Sequence, residues 1–587
     1  MPVDAADAMN NTATDYRALL KDALIKIKTM QAELGAHAQK KSEPIAVVGL
    51  ACRFPGGAQD PESFWSLLRN GVDAMREIPP ERWDVERYYD PQPGQPGKIY
   101  ARQGGFLSGI EQFDPGFFNI SPREAVTMDP QQRLLLEVAW ESLEQAAMPP
   151  ARLRNSRTGV FLGMMPAEYT LLTHHPDRID TYTGTGTDIS MAAGRIAYIL
   201  GLHGPTLTLD TACSSALVAV HLACQSLRSG ECDLALAGGA NLILTPEQMI
   251  VLSRLQALSP TSRCHTFDAQ ADGMARGEGC GMVALKPLSA ALRDGDPIWA
   301  LIRGSAVNHD GPSSGLTVPN ELAQEALIRQ ALDNAQTQPE EVSYIEAHGT
   351  GTKLGDPIEV GALGTIFAKG RQRPLWIGSV KSNFGHLEAA AGIASLVKVI
   401  LSLQQGEIPP SLHFHTPNPL IDWAGLPIRV PTQATPWPPQ KRTAGVSSFG
   451  LSGTNAHVIV GEAPEEAEGE KGRREEGEQE SGGELFVLSA KDEAALGAYA
   501  ARYVDFLAAH PQVNLADLCY TAQSGRSHFP HRLSVAAARV EELQEELRAF
   551  GQARAATPGP VADKAPKLAF LFTGQGAQYP GMGRELY

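Results

Sequence analysis

The sequence predicts an α/β protein built in layers around buried sheet, followed by a smaller α+β unit. Three observations support this. Between Pro44 and about Glu462, apolar runs of strand length alternate with longer helical patterns, the order expected when helices cover a buried sheet. Two of these units share one plan: TLTLDTACSSALVAVHLACQSL and WIGSVKSNFGHLEAAAGIASLVKVILSL each run strand, turn of small residues, long apolar helix, as duplicated halves would. Finally, the stretch EEAEGEKGRREEGEQESGGE, within residues 462–484, has too little apolar surface to order itself and reads as an acidic flexible linker.

Taken in order, Thr14 to about Ala36 repeats apolar residues at heptad spacing, with Leu20, Ile27 and Leu34 at one core position and Tyr16, Ala23 and Met30 at the other. Three heptads predict a short coiled-coil helix, and so short a helix needs a partner or its own domain to pack on. The strands then read as IAVVGLAC, TGVFLGMM, TLTLD, LALAGGANLIL, MVALKPL, IWALIRGSAV, VSYIEAH, WIGSV, AGVSSFG and NAHVIVG. The helices among them read as PESFWSLLRNG, SSALVAVHLACQSLRSG, ELAQEALIRQALDNA and EAAAGIASLVKVILSLQQG. Behind the linker, LFVLSAKDEAALGAYAARYVDFLAAH and HRLSVAAARVEELQEELRAF form two strand-helix pairs around NLADLCYTAQSG. After Pro558 another strand opens in KLAFLFTGQGAQYPGMGRELY.

Composition narrows the function. At 587 residues, 43% hydrophobic and 20% charged, the chain exceeds the roughly 250 to 300 residues at which single cores stop growing. No apolar run approaches the roughly 18 residues of a membrane helix, and Lys398 interrupts the nearest candidate, AAAGIASLVKVILSL. There is no secretory signal at the N-terminus, so a cytoplasmic location is the default expectation. The seven cysteines show neither CxxC pairing nor metal-ligand spacing, which argues against disulfide and zinc scaffolds. A formal charge of -16 opposes binding to nucleic acid. Residues 462–484 hold ten Glu against one Lys and two Arg, so much of that charge is local.

Chemistry concentrates in three places. In DTACSSALVAV, Cys213 lies where a strand gives way to a helix, and the unpaired N–H groups of a helix start favour a thiolate. Cys224 and Cys280 sit within the helix and a glycine-rich strand entry and read as core thiols. On position alone Cys213 is either a nucleophile or a buried thiol. EAHGTGTKLGDPIEV puts His348 directly after a strand, and KSNFGHLEAAAG puts His386 between a loop and a helix start. Both positions fall at the carboxyl edge of a sheet, where α/β sites lie. His221 and His457 read as structural.

From Glu43 to about Gly461 the chain resembles the ketosynthase (beta-ketoacyl synthase) domain of a modular type I polyketide synthase. The motifs that carry the resemblance are EPIAVVGLACRFPGG, FFNISPREAVTMDPQQRLLLEVAWESLE, GPTLTLDTACSSAL, the two histidine motifs and SSFGLSGTNAHVIV, all in the family's order. The resemblance implies a thiolase-type layered αβαβα fold with two duplicated halves, a homodimer, and decarboxylative Claisen condensation. In that chemistry Cys213 takes an acyl chain from an acyl carrier protein, and a malonyl-type extender then supplies the new carbon-carbon bond. His348 and His386 polarise the extender thioester, and Lys381 matches the family's active-site lysine. The backbone N–H groups of Cys213 and Leu451 form the oxyanion hole. Thr350 and Thr352 fall where the family holds the pantetheine arm. No cofactor is expected to bind directly, since substrates ride on the 4'-phosphopantetheine of the carrier, and no metal is expected. Fatty-acid relatives usually carry Phe where Leu451 stands, which implies a looser gate.

The flanks fit the same family. Residues 1–42 resemble a docking element for an upstream synthase protein, residues 485–557 resemble the linker domain that follows ketosynthases, and 558–587 resemble the opening of an acyltransferase domain. No GHSxG motif follows, so acyltransferase activity is not expected, and Tyr587 reads as a truncation point. A thiolase needs a second catalytic cysteine that SSFGLSGTNAH does not supply, and a cysteine protease leaves His386 unexplained. A noncatalytic member of the family would lack one of Cys213, His348 and His386. The Gly/Thr loops lack a following GK[ST], so phosphate binding is a poor reading.

Overall fold

A computed structural model describes residues 42–166, 168–437, 442–464 and 483–552, together with Lys21, Ala23, Lys26 and Lys28. Those four residues are helical. The rest of the heptad segment, most of the acidic linker and the segment after Pro558 lie outside the described residues. The chain divides between Arg473 and Arg474 into two compact units.

The larger unit is organised by one eleven-stranded sheet whose two halves repeat a single topology. In sheet order, the first half runs Thr206–Leu209, Thr158–Gly163, Leu234–Asn241, Gly279–Pro287 and Ile45–Arg53. The second runs Leu375–Gly378, Tyr344–Glu346, Thr443–Phe449, Thr454–Glu462 and Ala300–His309, with Ile428–Arg429 added outside. In both, the first three strands are parallel and the last two junctions antiparallel. The halves meet over a short antiparallel register, Ile45 opposite Ile302 to Val47 opposite Ala300. The echo between the two strand-turn-helix segments is therefore a true equivalence: each supplies the first strand of its half in sheet order, followed in the chain by the helix Ser215–Ser229 or Ala391–Gln405.

Those two helices are the middle layer. Their apolar residues, Leu217, Val220, Ile393 and Val397 among them, share one core with Val47, Val283 and Leu285 of the first half and Val446, Val458 and Val460 of the second. Because side chains alternate across a strand, Ala46 and Val48 face the other way, into a core with Leu135 and Val138 of the helix Pro130–Gln145. Ile459 likewise faces Leu327 and Ile328 of the helix Glu321–Ala335. Helix, sheet, helices, sheet, helix is the five-layer αβαβα arrangement. The helix Ala391–Gln405 is enclosed on both sides, so Ala391 to Leu403 is buried throughout, whereas Ser215–Ser229 leaves Gln225 and Ser229 exposed. Lys398 sits there with its Nζ 2.7 Å from Glu346 Oε2, so the charge that breaks the apolar run is paired.

The helix Gly355–Phe367 occupies a segment that the sequence presents as the continuation of a Gly/Thr loop. Its interior glycines lower helix propensity, and burial offsets this: Val360, Leu363, Ile366 and Phe367 join a core with Leu327 and Ile345, while Gly364 packs against the Leu426 side chain. The smaller unit pairs Glu484–Ala490 with His531–Ala537 antiparallel. Its helices Glu493–Ala509, Leu515–Ser524 and Val540–Gln552 pack on a core that includes Phe486, Leu496, Cys519 and Leu547.

Candidate active site

Parallel strands place their carboxyl ends on one edge, and the three chemistry-bearing segments all leave from such ends. His348 lies two residues past Tyr344–Glu346, His386 follows Leu375–Gly378, and Cys213 follows Thr206–Leu209. The structure brings them to one cavity of about 390 Å³, lined by Cys213, His348, Thr350, Thr352, His386, Phe449 and Leu451 among others. Lys381 is 2% exposed at the start of the short helix Lys381–Phe384. Its charge acts on both histidines.

The turn carrying Cys213 is tightly specified. Ala212 adopts φ +55°, a left-handed conformation that costs a non-glycine residue roughly 1–2 kcal/mol, and a web of short-range bonds holds it there. Ala212 N donates to Asp210 Oδ1 at 2.8 Å, Thr211 N to Ser215 Oγ at 2.9 Å and Ser215 Oγ to Ala212 O at 2.7 Å. From the other half of the sheet, Ser448 Oγ donates to Cys213 O at 2.8 Å. Gly450 lets the loop after Thr443–Phe449 close against this turn, since a Cβ there would meet Thr211 O at 2.4 Å. Half-buried Cys213 thus faces the backbone N–H of Leu451.

The thiol does not behave as the helix start alone predicts. Burial pushes it up to about 11, with the charge of Glu388 adding to the rise, while the Leu451 N–H, Lys381 and the N–H of Cys213 pull it down. Desolvation outweighs the groups that favour the anion, and Ser214, the next residue, caps the helix. The resting sulfur is a thiol.

Both histidines are neutral, and the backbone fixes their tautomers. Burial holds each well below the usual imidazole range, with Lys381 adding to the effect. Glu388 N donates to His386 Nδ1 at 3.0 Å, and Phe449 N donates to His348 Nδ1 at 3.4 Å. A neutral ring that accepts at Nδ1 carries its proton on Nε2. His386 Nε2 has no hydrogen-bond partner among the described residues. The rings lie 5.3 Å apart at 83°, so the site presents two N–H donors and no free imidazole base.

Residues that sequence reasoning did not single out hold this geometry. Glu359 accepts His348 N at 2.8 Å and Gly349 N at 2.9 Å, and Asp356 accepts Phe267 N at 2.7 Å and Gly351 N at 3.1 Å. Both belong to the same histidine motif, where acids three residues apart on one helix face were the available signal. Behind His386, Arg276 pairs with Glu388 at 2.6 Å and Glu168 at 3.3 Å. Thr350 and Thr352 line the cavity with their hydroxyls 3.2 Å apart. His221 and His457 are structural, bonded to Ser305 and Ser447, and Cys224 and Cys280 are wholly buried. The described residues hold no cluster of His, Cys, Asp and Glu suited to a metal ion, and none of their helices is long and apolar enough to cross a membrane.

Residues 42–291 match the family of the beta-ketoacyl synthase N-terminal domain and residues 299–415 that of its C-terminal domain. The ketosynthase from module 6 of the bacillaene synthase of Bacillus subtilis 168 is 40% identical, with a TM-score of 0.80 over 88% of this chain and 86% of that one. This chain belongs to the β-ketoacyl synthase family. The oxazolomycin ketosynthase domain of Streptomyces albus is similar too, at 39% identity and a TM-score of 0.81, covering 88% of this chain and 91% of that one. Behind the ketosynthase, residues 484–547 match the family described as CurL-like, PKS C-terminal.

Among longer relatives, the spectinabilin polyketide synthase system protein NorC of Streptomyces orinoci is 47% identical over 93% of this chain. Erythronolide synthase EryA2 of Saccharopolyspora erythraea is 47% identical over 94% of it. The chain spans 24% of the first protein and 15% of the second. It is therefore a polyketide-type ketosynthase with the linker region that follows it.

Proposed function

We propose that this ketosynthase extends a polyketide chain by decarboxylative condensation between two carrier-bound thioesters. The observation that carries the mechanism is the pair of neutral imidazoles whose Nδ1 atoms accept backbone N–H groups, leaving both Nε2–H groups as donors. In the first stage Cys213 Sγ attacks the incoming acyl thioester, the oxyanion forms beside the N–H groups of Cys213 and Leu451, and the carrier thiol leaves with the proton given up by Cys213. In the second, the malonyl-type extender loses carbon dioxide, and the enolate oxygen accepts hydrogen bonds from His348 and His386. Its carbon then attacks the Cys213 acyl carbonyl, the tetrahedral species expels the Cys213 sulfur, and the β-ketoacyl product stays on the extender's carrier. Preorganised donors of this kind are each worth roughly 100- to 1000-fold in rate. Lys381 supports the scheme by disfavouring imidazolium in both rings, and Thr350 and Thr352 hold the phosphopantetheine arm.

The partners follow from the same reading: acyl carrier domains, an upstream synthase protein received through the N-terminal segment, and a second copy of the chain. Supporting the last, Thr206–Leu209 ends the sheet with one side unpaired among the described residues, an edge that a second copy would cover.

The test separates the two stages. His348→Ala and His386→Ala should still self-acylate at Cys213, seen by intact mass, while carbon dioxide release from a malonyl carrier falls about 100-fold or more. In the unsubstituted protein that release should not decline as pH falls through 6.5, because both rings stay neutral there. Loss of acylation with decarboxylation intact would overturn these roles.

A further inference from the structure

Glu388 adopts a backbone conformation that its residue type disfavours. Two positions after His386, it sits at φ +47°, in the left-handed region that suits glycine and strains other residues. From there its N–H reaches His386 Nδ1 at 3.0 Å. Its side chain is tied down on the far side. The carboxylate, 5% exposed, accepts Arg276 Nε on Oε1 at 2.6 Å and Arg276 Nη2 on Oε2 at 3.0 Å. Arg276 is itself 1% exposed, and its Nη2 also donates to Glu168 Oε1 at 3.3 Å. Glu168 is anchored in turn by Leu244 N and Thr245 N, each 2.8 Å from its Oε2. The residues beside Arg276 hold the histidine as well: His386 N donates to Ala275 O at 2.6 Å, and Gly277 N to His386 O at 2.8 Å. One short segment thus grips His386 by its main chain and Glu388 by its side chain.

Stability does not account for this arrangement. Desolvating a guanidinium and its carboxylates offsets much of their attraction, and apolar side chains of similar volume often serve as well or better. What the ion pair does specify is geometry. With His386 gripped on one side and the helix Ala391–Gln405 packed on the other, a change of φ at Glu388 is absorbed by rotating the peptide between Leu387 and Glu388. That rotation carries the N–H away from His386 Nδ1, and the ring is then free to hold its proton on either nitrogen. We infer that Glu388 is a positioning residue, held by Arg276 in the left-handed conformation so that its N–H keeps the His386 proton on Nε2 for the enolate oxygen, an assignment resting on the ketosynthase reading above.

In the test, both ions are removed together, so that neither is left buried alone, and position 388 is varied for its backbone. Carbon dioxide release from a malonyl carrier and self-acylation at Cys213, seen by intact mass, would be followed in Arg276→Met with Glu388→Ala and in Arg276→Met with Glu388→Gly. The alanine variant should release carbon dioxide about 100-fold more slowly, with the loss in kcat, and still acylate Cys213. The glycine variant, unstrained in the left-handed conformation, should be about tenfold faster than the alanine one. Equal rates in the two would mean that the carboxylate acts by its charge and not through its backbone, which overturns the inference. Loss of acylation in a folded variant overturns it too, since the pair would then support the whole site. Glu388→Gln keeps the shape and one acceptor for Arg276, and it decides the matter if the double variants do not fold. A fall of about tenfold in carbon dioxide release with acylation intact supports the inference, and an unchanged rate overturns it. Absence of both reactions in the unsubstituted protein would instead overturn the ketosynthase reading.

Discussion

Glu359 offers a substitution in which stability and catalysis part company. Its carboxyl is 3% exposed and accepts two backbone N–H groups, those of His348 and Gly349, at 2.8 and 2.9 Å. Glu359→Gln keeps one acceptor and turns an NH₂ toward the other N–H. That leaves a buried donor unpaired and costs about 1–3 kcal/mol. Burial raises the carboxyl from 4.5 to about 7. A group whose folded-state pKa is raised contributes its stability below the unfolded value and loses it as pH rises through the folded one. The wild-type protein therefore gives up about 3 kcal/mol between pH 4.5 and 7 at this residue, at 1.36 kcal/mol per unit, and the amide variant does not. Urea unfolding should find the variant weaker by about 1–3 kcal/mol at pH 5, and equal to or more stable than wild type at pH 8. Decarboxylation should fall about 10- to 100-fold at both pH values, because the His348–Gly349 backbone loses one of its two anchors, and small misplacements cost rates of this order. A stability difference independent of pH would mean that Glu359 does not titrate in this window. Unchanged decarboxylation would show that Glu359 does not hold His348.

Two further outcomes follow from the Cys213 turn. Because burial lifts the thiol to about 11, its alkylation by iodoacetamide should accelerate roughly tenfold per pH unit from 7 to 10, and a rate that levels off near pH 8 would contradict that environment. Gly450→Ala should lower self-acylation about 100-fold, since its Cβ would meet Thr211 O at 2.4 Å and push the Leu451 N–H from the sulfur. Near-normal acylation would remove Leu451 from the oxyanion hole.

Much of this molecule is legible in its sequence, because burial imprints periodicity locally. Alternating strand and helix patterns announce the layered fold, and the like-built segments around Cys213 and His386 announce its duplication. The positions of Cys213, His348 and His386 after strands place them at sheet edges before any coordinate is known. Three things needed the tertiary structure. The helix Gly355–Phe367 is hidden by its glycines and is held by burying Val360, Leu363, Ile366 and Phe367 in a core drawn from distant segments. Burial of Cys213 and the charge of Glu388, 175 residues further along the chain, both raise its thiol. The tautomer of His348 depends on Phe449, 101 residues away along the chain. Hydrophobic patterning records which residues are buried; charge and proton placement depend on which groups meet once they are, and those meetings come from distant parts of the sequence.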